Sequence, residues 1–71
     1  MDKLSPQQIA GNTLRKLIQE NYNSQEEFAY EYHIEIRTLS RYINQGITKI
    51  ATIQEFANYF NIDFIDFFNQ N

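Results

Sequence analysis

Cysteine is absent from this chain of 71 residues, and helix-breaking residues are scarce, with one proline and two glycines. Without cysteine there are no disulfides and no thiolate metal sites, and nothing indicates an oxidising compartment. No stretch approaches the roughly 20 apolar residues that span a bilayer, and the first eight residues, MDKLSPQQ, lack the apolar run of a signal peptide. We therefore expect a cytoplasmic protein with no membrane segment.

Aromatic residues are abundant, with six Phe and five Tyr in a composition that is 42% hydrophobic. Large rings bury much apolar surface per residue, which lets a short chain form a core. The length is enough for a single domain over residues 1–71. Nine acidic residues against six basic ones give a net charge of −3. Nucleic-acid-binding domains are usually basic, so such a function would depend on how the charges are distributed.

Apolar residues recur at spacings of three and four with almost no strict alternation, which predicts an all-α fold. The first helix is expected to begin at Ser5, with Pro6 at its first position and Gln8 completing a capping box. Its predicted inner face consists of Ala10, Leu14, Leu17 and Ile18.

Two short helices are expected next, joined by a tight turn. Ser24 is a candidate cap for the second helix, and Glu27 is placed to reach back to the amide of that cap. The sequence at His33 and Ile34 interrupts the apolar spacing, which then resumes with a shifted phase. The predicted inward residues are Phe28, Ala29 and Tyr32 in the second helix, and Leu39, Tyr42 and Ile43 in the third.

Gly46 indicates that the third helix ends near Asn44. A fourth helix follows, whose apolar stripe consists of Ile50, Ile53, Phe56, Ala57 and Phe60. Asp63 is a candidate cap for a short fifth helix. That last segment carries Phe64, Phe67 and Phe68.

The segment SQEEFAYEYHIEIRTLSRYINQ, residues 24–45, resembles the helix-turn-helix of the Cro/CI (XRE-type) family of prokaryotic and phage regulators. The likeness covers about residues 11–68 and is strongest at SQEEFA and TLSRY. It implies a five-helix, lambda-repressor-like DNA-binding domain. It also implies a transcriptional regulator that binds double-stranded DNA in a sequence-specific manner, and we expect a repressor.

In this family the third helix enters the major groove, and the start of the second helix contacts the phosphate backbone. The resemblance gives as base-reading candidates Ile36, Arg37, Ser40 and Arg41, and as backbone candidates Ser24, Gln25, Thr38 and Asn44. Arg37 and Arg41 are four residues apart and project from one helical face, where either could donate to guanine. Ile36 could contact a thymine methyl group or widen the buried face.

The chain departs from the family at several positions. His33 occupies the turn position where the family usually has glycine, and Ile18 and Ile43 stand where it often has a buried arginine and glutamate. Exchange of a buried ion pair for an apolar contact is often tolerated. The loop after the third helix is about one residue short and lacks the usual proline, so phosphate contacts from residues 46–49 are the weakest part of the likeness.

Several alternatives stay open. Arg37 and Arg41 could be solvated charges, paired with Glu31 or Glu35. The three C-terminal phenylalanines, Phe64, Phe67 and Phe68, could complete the core or form a homodimer interface. A second functional hypothesis is a protein-binding module, such as an antirepressor or adaptor, that keeps the fold without binding DNA. We expect no enzyme, metal or cofactor, because no nucleophile-base pair, ligand cluster or phosphate-binding glycine loop is present.

Overall fold

The computed structural model describes residues 5–68, which are all-helical and contain no strand in that range. Its α-helices are α1 (Pro6–Asn21), α2 (Gln25–Tyr32), α3 (Ile36–Gln45) and α4 (Ile50–Phe60). The segment expected as a fifth helix is a 3-10 helix, Phe64–Phe68. Its turn is closed by the Asp66 amide, which donates to the carbonyl oxygen of Asp63 over 3.0 Å. Residues 5–68 therefore contain four α-helices and one 3-10 helix rather than five α-helices.

α1 begins at the capping box that the sequence predicts. The Gln8 amide donates to the Ser5 hydroxyl oxygen, and the Ser5 amide donates to Oε1 of Gln8, both over 3.2 Å. Pro6 occupies the first helical position. These contacts satisfy two of the amides that a helix N-terminus otherwise leaves without partners.

α2 begins at Ser24, but its cap differs in one contact from the prediction. The Ser24 hydroxyl oxygen accepts from the Glu27 amide over 3.1 Å. Oε1 of Glu27 accepts from the amide of Asn23 over 2.8 Å. The prediction that Glu27 would reach the amide of the cap itself was wrong by one residue.

α2 and α4 end in the same way. His33 and Asn61 adopt left-handed backbone conformations, with φ values of 63° and 60°. The amides of the next residues, Ile34 and Ile62, each donate to a carbonyl five residues back over 3.0 Å. This is the Schellman pattern that stops a helix and turns the chain. After each helix end the chain turns back towards the core, and the next residue, Ile34 or Ile62, is half-buried against it.

The core lies between α1, α3, α4 and the 3-10 helix, with α2 along one side. Most of the predicted inner faces are confirmed as buried or half-buried. The exception is Ile50, which is 69% exposed because it begins α4 at the edge of the core. Ile18 and Ile43 are both buried in the same apolar cluster. The fully or nearly fully buried residues are Ala10, Leu14, Ile18, Phe28, Ala29, Leu39, Ile43, Ile47, Ile53, Phe56, Ala57 and Phe67.

The loop after α3 is fastened to the start of α1. Gly46 has a φ of 104°, a conformation that favours glycine, and a Cβ atom there would lie 2.9 Å from the carbonyl of Gln7. The amide of Ile47 donates to that same Gln7 carbonyl oxygen over 3.1 Å, and the Ile47 side chain is fully buried. The loop is therefore held by both a main-chain hydrogen bond and apolar packing.

Candidate nucleic-acid interface

α3 has one apolar face and one polar face. Leu39 and Ile43, four residues apart, are buried, whereas Arg37 and Arg41, also four residues apart, are exposed. Since positions at this spacing share a helical face, the two guanidinium groups project from the same side of α3, away from the core. Core packing therefore fixes which way this pair of arginines points.

The polar face of α3 forms a shallow depression of about 360 Å³. Its lining residues are Arg37, Ser40, Arg41, Asn44 and Gln45. Within it, Nδ2 of Asn44 donates to the Ser40 hydroxyl oxygen over 3.1 Å. The structure thus brings three of the four base-reading candidates together with one backbone candidate, Asn44, on one surface.

A second depression of about 390 Å³ continues this surface beyond the end of α3. It shares Arg41 and Gln45 with the first and extends to Thr48 and Lys49. Gln45 is absent from the predicted site, although it could have been found from the sequence because it continues the spacing of Arg37 and Arg41. Thr48 lies in the segment 46–49, whose phosphate contacts are the weakest part of the resemblance. Its place beside Arg41 depends on how the loop packs on α1 and does not follow from spacing.

The remaining candidates occupy different surroundings. Ile36 is 42% exposed and is not among the residues packed in or against the apolar core. Ser24 is exposed at the start of α2, and its hydroxyl oxygen already caps the helix. Gln25 and Thr38 are half-buried. The backbone candidates therefore lie on two helices and do not form one cluster with Asn44.

Positive charge is concentrated near this surface despite the acidic net charge. Of the five Lys and Arg residues between positions 5 and 68, three lie on α3 or the loop that follows: Arg37, Arg41 and Lys49. Neither arginine has an ion-pair partner in the part of the chain that the structure describes, so the alternative of pairing with Glu31 or Glu35 is not seen. Glu26, Glu27 and Glu31 are exposed on α2. The local charge on α3 therefore differs in sign from that of the whole chain.

The three candidate interface phenylalanines differ in exposure. Phe67 is fully buried, so it completes the core, as one of the two alternatives for these rings predicts, and it has no surface to offer a second chain. Phe64 and Phe68 are half-buried, with ring centroids 5.2 Å apart. Phe68 also lines an apolar depression of about 210 Å³. The other residues of that depression are Pro6, Gln7, Ile47, Thr48, Ile50 and Ile53.

An aromatic cluster joins the end of α1 to α4. The hydroxyl oxygens of Tyr22 and Tyr59 lie 2.7 Å apart. This hydrogen bond is the main cause that raises the pKa of Tyr22 well above its ordinary value, and burial and the nearby Glu31 add to it. Burial raises the pKa of Tyr32 as well. Tyr22 and Tyr32, with Tyr59, belong to the packing of α1, α2 and α4.

No family model, curated protein or solved structure matches this chain. Between residues 5 and 68, no three His, Cys, Asp or Glu side chains come together as a metal-ion site would require. None of the helices in the described range has the length and apolar character needed to cross a bilayer. The local geometry of α2, α3 and the following loop is therefore what supports a function.

Proposed function

We propose that this chain is a sequence-specific DNA-binding transcriptional regulator of the Cro/CI type, with α3 lying in the major groove. The observation that carries the proposal is the polar face of α3. It presents two exposed arginines four residues apart beside the Ser40 and Asn44 side chains, over a core that holds it in place. Arginine donating to O6 and N7 of guanine is the commonest specific contact in the major groove.

The connection between α2 and α3 supports a helix-turn-helix. Three residues, 33–35, separate the helices, and the left-handed His33 reverses the chain where the resembling family usually has glycine. α3 has ten residues and is about 15 Å long, a size that fits one major groove. A regulator of this kind acts by occupying its site, so we propose repression.

Two copies would bind one operator. A single α3 reads one groove, whereas helix-turn-helix dimers place two recognition helices about 34 Å apart. The apolar depression beside Ile50 and Phe68, with the exposed Ile50 (69%) and Ile65 (68%), offers a surface for a second copy. Sedimentation at high micromolar concentration is expected to give a dimer mass, and Ile50→Glu to give a monomer. A monomer mass for the unaltered protein would contradict the dimer.

The test of DNA binding is selection from random duplex DNA, followed by affinity measurements on the selected site and its single-base variants. Arg37→Ala and Arg41→Ala are each expected to lose about 1–3 kcal/mol of discrimination at one base pair. Arg15→Ala, an exposed arginine on α1, is the matched control and should keep full discrimination. If no sequence is enriched and no duplex binds at low salt, the proposal fails.

One observation favours the competing function, a protein-binding module. Tyr30 is 84% exposed on α2, a turn away from Glu26 and Glu27. An exposed ring among carboxylates is suited to a basic protein partner rather than to a phosphate backbone. Salt separates DNA binding from a mainly apolar protein contact, because affinity for DNA falls steeply with rising salt as counterions are released. A basic partner held by Glu26 and Glu27 would also bind more weakly in salt, so the Tyr30 variant is needed to identify it. Tyr30→Ala should leave DNA affinity unchanged under the main proposal.

A further inference from the structure

Ile36 is an apolar residue that the core does not use. It is the first residue of α3 and is 42% exposed. Ile34, two residues earlier, already packs against the core under the turn between α2 and α3. Ile34 therefore supplies the apolar contact between this turn and the core, whereas the side chain of Ile36 extends to the surface.

The surroundings of Ile36 are polar. Every residue of α3 is described, and among its exposed residues Ile36 is the one apolar side chain. The others are Arg37, Arg41, Asn44 and Gln45. Ile36 is four residues before Ser40, so the two share a face directly beside the row of Arg37 and Arg41. An apolar side chain thus lies at the N-terminal end of the surface proposed to face the bases.

The major groove contains one kind of apolar group that an exposed isoleucine side chain could contact. Base edges there present hydrogen-bond donors and acceptors, and the single apolar group among them is the C5-methyl group of thymine. We propose that Ile36 contacts the methyl group of one thymine in each half-site, in addition to the bases read by Arg37 and Arg41. This inference rests on the proposed DNA-binding function and names a feature of the sequence that the protein recognises.

Deoxyuridine provides the test, because it lacks the methyl group of thymidine and keeps every hydrogen-bonding atom. Each thymine of the selected duplex is replaced in turn, and affinity is measured for the unaltered protein and for Ile36→Ala. At one thymine per half-site the unaltered protein should lose about fourfold, the amount expected for one buried methyl group. Ile36→Ala should bind the thymine duplex more weakly and lose nothing further with deoxyuridine.

The matched control is Tyr30→Ala, which removes an exposed side chain from α2, outside both the α3 surface and the proposed dimer surface. It should keep the full loss on deoxyuridine. Thermal unfolding of both variants checks that the fold is retained, which the exposure of both side chains favours.

The possible results separate the two proposals. If the deoxyuridine loss persists in Ile36→Ala, or if no thymine is sensitive, the inference about Ile36 is overturned while DNA binding stands. If Ile36→Ala changes the sedimentation mass and not the response to deoxyuridine, Ile36 contacts a second chain instead. If no duplex binds, the proposed function itself has failed.

Discussion

Gly11, in the middle of α1, lies directly against the main-chain carbonyl oxygen of Tyr42 in α3. A Cβ atom at position 11 would overlap that oxygen and would lie 3.3 Å from the carbonyl oxygen of Ile43. Because both neighbours are main-chain atoms of a packed helix, neither can rotate away. The missing side chain therefore sets how closely α1 approaches the helix that carries Arg37 and Arg41.

Gly11→Ala is expected to lower the free energy of unfolding by about 1–3 kcal/mol, the usual cost of overpacking a core. This expected loss is the net change: the overpacking outweighs the gain of about 1 kcal/mol that alanine normally brings over glycine in a helix interior. Urea unfolding measures the difference. Gln19→Ala, at an exposed position of the same helix, should change stability by less than about 0.5 kcal/mol. A more stable Gly11→Ala protein would mean that the two helices are farther apart.

Ser24 caps α2 and is also a proposed contact to the DNA phosphate backbone. Two substitutions can separate these roles. Ser24→Ala removes the oxygen that accepts from the Glu27 amide, and should cost about 1 kcal/mol of stability. Ser24→Asp keeps a capping oxygen and adds a negative charge favourable to the helix N-terminus. It should therefore fold well and bind DNA more weakly, since its carboxylate would repel phosphate. Equal DNA affinity for Ser24→Asp and the unaltered protein would remove Ser24 from the interface.

Lys49 extends the positive surface from α3 onto the loop, where it lines the same depression as Arg41. Lys49→Gln is expected to weaken binding to all duplexes by a similar factor and to reduce the slope of log affinity against log salt by about 1. Arg15→Gln, an exposed cation on α1, should leave the slope unchanged. Loss of discrimination at one base pair, with no change in slope, would instead make Lys49 a base-reading residue.

The hydroxyl pair of Tyr22 and Tyr59 predicts a pH dependence of stability. The pKa of Tyr22 is raised in the folded protein above its ordinary value of 10.0, so the unfolded chain loses this proton first as pH rises. The corresponding stability is fully present below pH 10 and is lost as pH rises above it. Unfolding measured at pH 7 and at pH 10.5 should show this fall, and Tyr22→Phe should reduce it.

Tyr22→Phe should not abolish the alkaline loss, because burial also raises the pKa of Tyr32. The Tyr22→Phe protein should already be less stable at pH 7, because it lacks the hydrogen bond to Tyr59. Its stability at pH 10.5 is therefore compared with its own stability at pH 7. If the free energy of unfolding falls by the same amount between the two pH values in Tyr22→Phe and in the unaltered protein, the hydroxyl pair does not contribute to the pH dependence.

The parts of the fold that depend on local spacing could be predicted from the sequence. The capping box of Ser5 and Gln8 and the stop at His33 involve residues within five positions of one another, and both are confirmed. Ile50 shows where such patterns fail. It continues the apolar stripe of α4, but periodicity does not indicate whether another element covers the first turn of a helix, and here the side chain is mostly exposed.

Contacts between distant residues could not be predicted. The approach of Gly11 to Tyr42 and the pairing of Tyr22 with Tyr59 join residues more than 30 positions apart, and each depends on how whole helices pack. The candidate site shows the same division. The common face of Arg37 and Arg41 follows from their spacing, whereas the extension of that surface to Thr48 depends on the loop that packs on α1.

The contact between Thr13 and Phe67 spans 54 positions. The Thr13 hydroxyl lies 2.8 Å from the carbonyl oxygen of Phe67 and 2.9 Å from that of Ile9, and the Phe67 ring fills the core beside α1. A nascent chain that has emerged only through α4 lacks this ring and leaves open to water the part of α1 that the 3-10 helix covers, while α3 still packs on the rest. We therefore expect folding to be completed only after the 3-10 helix has left the ribosome, with that part of α1 open to proteases and chaperones until then.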